Sequence, residues 1–213
     1  MAQSNNDEGQ STLIINALQK KFPDAHCELE FNSSFELLIA TILSAQCTDQ
    51  RVNRVTAALF TDANTPETII ALGQVELENR IHSLGLFHTK AKNIIAACRV
   101  LVEEFKGQVP EELELLRQLP GVGRKTANVV GSNAFGIPAI AVDTHVFRVA
   151  HRLGIAHGKT PEKVEEELMK LFPRESWSLV HHLLIFQGRR ICVARKPHCQ
   201  ECPVSEICLF YNS

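Results

Sequence analysis

The stretch Leu119-Pro-Gly-Val-Gly-Arg-Lys-Thr-Ala127, with Val142-Asp-Thr-His-Val-Phe-Arg148 following it, decides how this chain is read. Pro120 stops a helix ending at Leu119, while Gly121 and Gly123 permit tight backbone geometry and close approach of a ligand to their amides. The amides that open the next helix then offer an anion both hydrogen-bond donors and a favourable dipole. A Walker phosphate loop fits poorly, because Arg124 precedes Lys125 where that motif requires glycine and no strand leads in. A glycine hairpin between two helices is suited to gripping a DNA phosphate through main-chain amides.

Lys125 stands where a helix dipole disfavours a cation. With partial burial added, both effects favour a neutral amine, the form that attacks an electrophilic sugar carbon. Taken alone, the residue reads equally as a solvated surface lysine. Asp143 precedes Thr144 and an amphipathic stretch, so it is placed to cap a helix. A carboxylate held ionised there is also able to accept a proton or to stabilise positive charge on a sugar.

Outward from this centre the chain reads as all-α. Strand signals are nearly absent and apolar residues recur at helical spacing. Helices are expected over 12–22, 35–45, 49–60, 66–73, 75–83, 90–105, 111–118, 124–134, 144–153, 161–171 and 176–189. Thr89 is read as the cap of the 90–105 helix and Gly107 as its end. Pro110 marks the start of the 111–118 helix, with Glu111, Glu112 and Glu114 in its first turn.

Cys192, Cys199, Cys202 and Cys208 follow the spacing C-x6-C-x2-C-x5-C within seventeen residues. Four thiolates so close are suited to zinc or to an iron–sulfur cube. Zinc modules more often pair two C-x2-C knuckles, and only one occurs here. Arg195 and Lys196, in the first loop of this cysteine run, are candidates to meet a phosphate. Cys27, Cys47 and Cys98 lie in helical or apolar sequence and read as packed thiols.

The 213 residues are 45% apolar, enough for one domain or two small ones. The formal net charge of −2 excludes a protein that coats nucleic acid through overall basicity. Basic residues outnumber acidic ones only past residue 110, thirteen to eleven, where Arg124, Lys125, Arg148, Arg152, Arg189, Arg190, Arg195 and Lys196 gather; a local basic face fits this, as does scattered charge. No apolar run reaches the roughly 18 residues that cross a bilayer. Met1 to Gln10 is polar and is expected to carry no fixed structure, and it reads as neither signal nor transit peptide. The expected location is the cytoplasm of a bacterial-type cell, with action at the nucleoid. Seven cysteines in such a setting favour metal ligation over disulfides.

Leu43-Ser-Ala-Gln-Cys-Thr-Asp49, Leu119 to Asn128, Ala141 to Arg148 and the four-cysteine run together resemble the endonuclease III family of DNA glycosylases. The likeness runs from about residue 12 to 210. It implies two helical domains with a helix-hairpin-helix element and a DNA cleft between them. A six-helix barrel would cover 27–137, and 1–26 with 138–213 would form the cluster domain. The likeness makes Lys125 the nucleophile and Asp143 its activating carboxylate. Attack at C1′ of a flipped nucleotide would expel an oxidised pyrimidine, and β-elimination through the resulting imine would cut the strand 3′ to the lesion. Cys192, Cys199, Cys202 and Cys208 would hold a [4Fe–4S] cluster. Gly121, Val122, Gly123 and Arg124 would grip DNA, and Gln46 and Leu86 would fill the gap left by the flipped nucleotide. Without the resemblance, Gln46 reads as a buried helix-end amide and Leu86 as a core leucine.

The implied partner is double-stranded DNA carrying damaged pyrimidines or abasic sites, met by a monomer and without a membrane. Two departures bear on substrate preference: Phe87 stands where the family often has tyrosine, and Cys47 where alanine is familiar. Two rivals remain. An adenine glycosylase of the same superfamily lacks the lysine and usually adds a C-terminal recognition domain, whereas this sequence runs five residues past Cys208. A non-catalytic iron–sulfur DNA-binding module would use the hairpin and cluster alone.

Overall fold

A computed structural model describes residues 2–213, with side chains from residue 9 onward. Its described residues contain helices and turns and no strand. The chain divides into two compact units, 27–137 and a discontinuous unit of 1–26 with 138–213. Each has its own apolar core.

The discontinuous unit begins with α1, Ala2–Lys21. The expectation of no fixed structure over Met1 to Gln10 is corrected from Ala2 onward, Met1 lying outside the described residues. No proline interrupts this stretch, and a single internal glycine, Gly9, costs a helix only about 1 kcal/mol.

The 27–137 unit is built around α2, Ser34–Leu43, whose residues Phe35 to Leu43 are all buried. A helix apolar on every face belongs inside a core. Its start is fixed reciprocally: Ser33 Oγ accepts from Glu36 N at 3.1 Å, and Asn32 N donates to Glu36 Oε2 at 2.6 Å. Next come α3, Asp49–Leu59, and α4, Pro66–Ile81. A capping box of Thr65 and Thr68 with Pro66 opens α4. The two helices expected at 66–73 and 75–83 are one element broken at Gly73, whose φ of 73° and ψ of 166° are non-helical.

Then α5, Phe87–Phe105, packs along α4. It starts earlier than expected, and Thr89 lies inside it rather than capping it, because Leu86 turns the chain into the helix from a left-handed conformation. Lys106 and Gly107, both left-handed, end it. The short α6 covers only Leu113–Leu116: Glu112 is extended, so Pro110 and Glu111 stay outside the helix and Glu114 is the one acid in its first turn. After the hairpin, α7, Arg124–Phe135, packs on α2.

The second unit continues with α8, Thr144–Leu153, α9, Pro161–Leu171, and α10, Trp177–Arg190. There α8 packs on α10, and α1 lies against α9 and α10. Two short 3-10 turns, Cys199–Glu201 and Ser205–Ile207, lead to α11, Leu209–Asn212.

Candidate DNA-processing site and cysteine centre

The hairpin is anchored from inside its unit. Leu119 and Val122 are buried in the core, and Val122 N donates to Leu119 O at 3.0 Å. Val122 therefore anchors the turn through both its side chain and its amide. Gly121 has φ of 80°, and a Cβ there would meet Asn93 Cβ at 2.8 Å, so both backbone angle and space require glycine. Gly123, extended and exposed, occupies the cap position of α7. The amides at this start lack intrahelical acceptors and point out of the helix end.

Lys125 is the second residue of α7 and is exposed. The condition of partial burial is not met in the free protein: Val122 turns inward, but Gly121, Gly123 and Arg124 around Lys125 are exposed too. Its amine makes no hydrogen bond or ion pair with any described residue.

Asp143 caps α8 from the other unit and is half-buried. Its Oδ1 accepts from His145 N and Val146 N, each at 2.8 Å. Both bonds fall on one oxygen, and Oδ2 accepts none from a described residue. One carboxylate oxygen thus holds the helix start while the other stays available, so capping and chemistry do not compete.

Gln46 and Leu86 are both exposed, Leu86 at 56%, which removes the readings of buried amide and core leucine. Both are left-handed, with φ of 56° and 60°. That conformation is uncommon for residues other than glycine, and leucine gains nothing from it locally.

Lys90, which sequence reasoning missed, sits in the first turn of α5 and is 4% exposed. Its Nζ donates to Cys47 Sγ at 3.9 Å, linking the segments that carry Gln46 and Leu86. Burial pushes its amine below the usual lysine range, with Cys47 acting in the opposite direction. Cys98 is a fully buried thiol pushed up to about 12 by burial, as a packing residue is.

The four C-terminal cysteines line one cavity together with Gln187 and Ile191. Cys192 N donates to the carbonyl of Gln187 at 2.7 Å, tying the first cysteine to the end of α10. The 3-10 turns place the others: Cys202 N donates to Cys199 O at 3.2 Å and Cys208 N to Ser205 O at 3.1 Å. Burial pushes the Cys202 thiol up, opposed by hydrogen bonds from Val204 N and the Gln187 side chain. The donor set is all sulfur, and among the described residues no three His, Cys, Asp or Glu side chains converge as a single ion requires. Four thiols without histidine, in an otherwise largely apolar cavity, are a donor set that suits an iron–sulfur cluster.

Two arginines counted toward a basic face turn inward instead. Arg148 donates to Cys192 O at 3.1 Å and Gly188 O at 2.8 Å. Arg152 donates to Val193 O at 2.8 Å and Ala194 O at 3.0 Å. They brace the cysteine loop, because its irregular backbone leaves carbonyls that no helix satisfies. Arg190 stacks over Phe186 at 4.0 Å. Arg195 and Lys196 remain exposed on the loop, Lys196 with φ of 54°.

The HhH-GPD superfamily of base excision DNA repair proteins matches residues 39–174, and the iron–sulfur binding domain of endonuclease III matches 192–208. Endonuclease III of Haemophilus influenzae is 53% identical over 195 residues, covering 92% of each chain. Endonuclease III of Escherichia coli is 50% identical over 195 residues with the same coverage. A solved trapped endonuclease III–DNA covalent intermediate superposes with a TM-score of 0.93 at 50% identity, over 96% of this chain and 97% of that one. No described helix is long and apolar enough to cross a membrane. The chain belongs to the endonuclease III family within the HhH-GPD base excision repair proteins, and is a bifunctional DNA glycosylase and AP lyase that acts on DNA and carries a [4Fe–4S] cluster.

Proposed function

We propose that this enzyme removes oxidised pyrimidines from duplex DNA, with Lys125 as nucleophile and Asp143 as the carboxylate that activates it and steadies charge on the sugar. The observation that carries this reading is the exposed amine of Lys125 at the opening of α7, unpaired among the described residues and beside a hairpin shaped for a phosphate. The free protein leaves that amine in water, so the bound duplex has to supply the desolvation that a neutral nucleophile needs. A relative solved as a covalent intermediate with DNA supports the same chemistry here.

In the reaction, the Nζ lone pair bonds to C1′ as the glycosidic C–N bond breaks and the base departs, taking up a proton. Opening of the sugar at C1′–O4′ gives the imine on Lys125. Loss of a C2′ proton then expels the 3′ phosphate by cleavage of C3′–O3′, and water hydrolyses the imine to release the enzyme. Asp143 Oδ2 is the atom free to exchange protons in these steps. The amides of Gly121, Gly123 and Arg124 hold a backbone phosphate, with Val122 anchoring the hairpin between them, while Gln46 and Leu86 occupy the space vacated by the flipped nucleotide. Arg195 and Lys196 add phosphate contacts.

Cys192, Cys199, Cys202 and Cys208 are the cluster ligands. When bound, the cluster orders the loop that carries Arg195, and no step of base removal passes through it. The enzyme works as a monomer in the cytoplasm. Borohydride trapping on duplexes with an oxidised pyrimidine or an abasic site tests the reading. Wild type forms a covalent adduct and Lys125→Ala forms none. Equal trapping by the variant would assign the imine to another amine.

A further inference from the structure

Gln187 is 1% exposed and lies in α10, five residues before the first cysteine of the cavity. Its side-chain Nε2 donates to Cys202 Sγ at 3.1 Å. Its carbonyl Oε1 finds no hydrogen-bond partner among the described residues. A buried amide that orphans its own oxygen is a poor choice for packing alone, where leucine fills similar space without that cost. With Cys202 deprotonated as a ligand this is the orientation required, since reversing the amide would aim a carbonyl at sulfur lone pairs. Main-chain bonds hold the residue in place: its backbone oxygen accepts from Ile191 N at 3.0 Å and from Cys192 N at 2.7 Å. A second donor, Arg152 Nη1, stands 3.5 Å from Cys192 Sγ, its guanidinium anchored through Nη1 to the Val193 carbonyl and through Nη2 to that of Ala194.

We propose that the Gln187 side chain sets the reduction potential of the iron–sulfur cluster through its N–H···S hydrogen bond to Cys202. The inference rests on the reading of the four cysteines as cluster ligands. A donor to a ligand sulfur withdraws electron density from the iron and stabilises the more negative, reduced state, so it raises the potential. Gln187 is a positioning and tuning residue that acts through Cys202. Gln187→Leu keeps the volume and the main-chain bonds but removes the donor. Gln187→Glu, buried beside thiolates, is held protonated and keeps a donor in the same place.

The test is voltammetry of the loaded protein, with cluster content measured separately by visible absorbance and iron analysis. Gln187→Leu is expected to hold its cluster and to shift the oxidised-to-reduced ratio at fixed potential about tenfold toward oxidised, which is 59 mV for one electron. Gln187→Glu is expected to stay nearer the wild-type potential than Gln187→Leu. A full cluster at the wild-type potential in both variants overturns the inference and leaves the ligand assignment standing. Wild-type protein that binds no iron overturns the ligand assignment itself. If the variants lose their clusters, pulsed EPR of wild type made with isotope-labelled glutamine decides: coupling to one side-chain amide nitrogen supports the hydrogen bond, and its absence sinks it.

Discussion

Replacing Asp143 by asparagine and, separately, by alanine divides the two duties of this carboxylate. In the structure Oδ1 accepts two amides at 2.8 Å each, and Oδ2 accepts none. Asparagine keeps a carbonyl oxygen in the Oδ1 position and caps helices about as well as aspartate, so α8 keeps both bonds. What it loses is the charge at a helix N-terminus, about 0.3–1 kcal/mol. Alanine loses both bonds as well, at about 1–2 kcal/mol for a cap of this kind. At about 2–4 °C per kcal/mol for a chain of this size, Asp143→Ala melts about 2–8 °C below wild type. Asp143→Asn should fall by no more than about half of that.

Activity should divide the other way. Without an oxygen that exchanges protons, Asp143→Asn is expected to lose about 10²- to 10⁴-fold in base excision, the usual worth of a positioned acid–base group. Asp143→Ala should lose no less. Duplex affinity should survive in Asp143→Asn, since the phosphate grip lies elsewhere. Single-turnover excision on a lesion duplex, thermal melts and an equilibrium binding titration read the three quantities. An asparagine variant that excises at near wild-type rate would make the carboxylate a structural cap and refute the reasoning. So would one whose loss of binding equals its loss of rate.

Three further outcomes are expected. Gly121→Ala should destabilise by about 2–4 kcal/mol in denaturant melts, from a left-handed alanine together with overpacking against Asn93. Arg195→Ala, at an exposed position, should change stability by less than about 0.5 kcal/mol, and flatten the salt dependence of DNA binding by about 0.9 in slope without altering lesion preference. His182 is pushed down to about 4 from 6.5, first by burial and then by His26. The unfolded chain therefore takes up this proton first, and a contribution of about 3 kcal/mol, complete above pH 6.5, is lost as pH falls toward 4. Melts between pH 7 and pH 4.5 should show that slope, and His182→Phe should flatten it.

The all-helical character and most helix positions were legible, because helices are local: their caps, prolines and apolar spacing lie within a few residues of one another. The bounds of α8 and α9 coincide with those expected, since Asp143 and Thr160 cap by side-chain hydrogen bonds written into the sequence. The glycine hairpin was legible for the same reason, its left-handed Gly121 following Pro120 directly. The start of α5 was not, because nothing in the identity of Leu86 announces a left-handed turn. Side-chain surroundings were least legible. Arg148 and Arg152 look like surface charge until the cysteine loop, some forty residues downstream, brings its carbonyls to them. Gln187 reads as an ordinary polar residue of a helix until Cys202 folds onto it.

By itself, then, the sequence determined the inventory: one lysine after a glycine turn, one aspartate before a helix, and four cysteines at fixed spacing. Only the tertiary structure decided which oxygen of Asp143 is spent on the cap, that Lys125 faces water, and which amide faces the Cys202 sulfur. The physical reason is that local hydrogen bonds and turns need only near neighbours in the chain. Burial, and the choice of partner for each polar atom, are settled by groups that packing alone brings together.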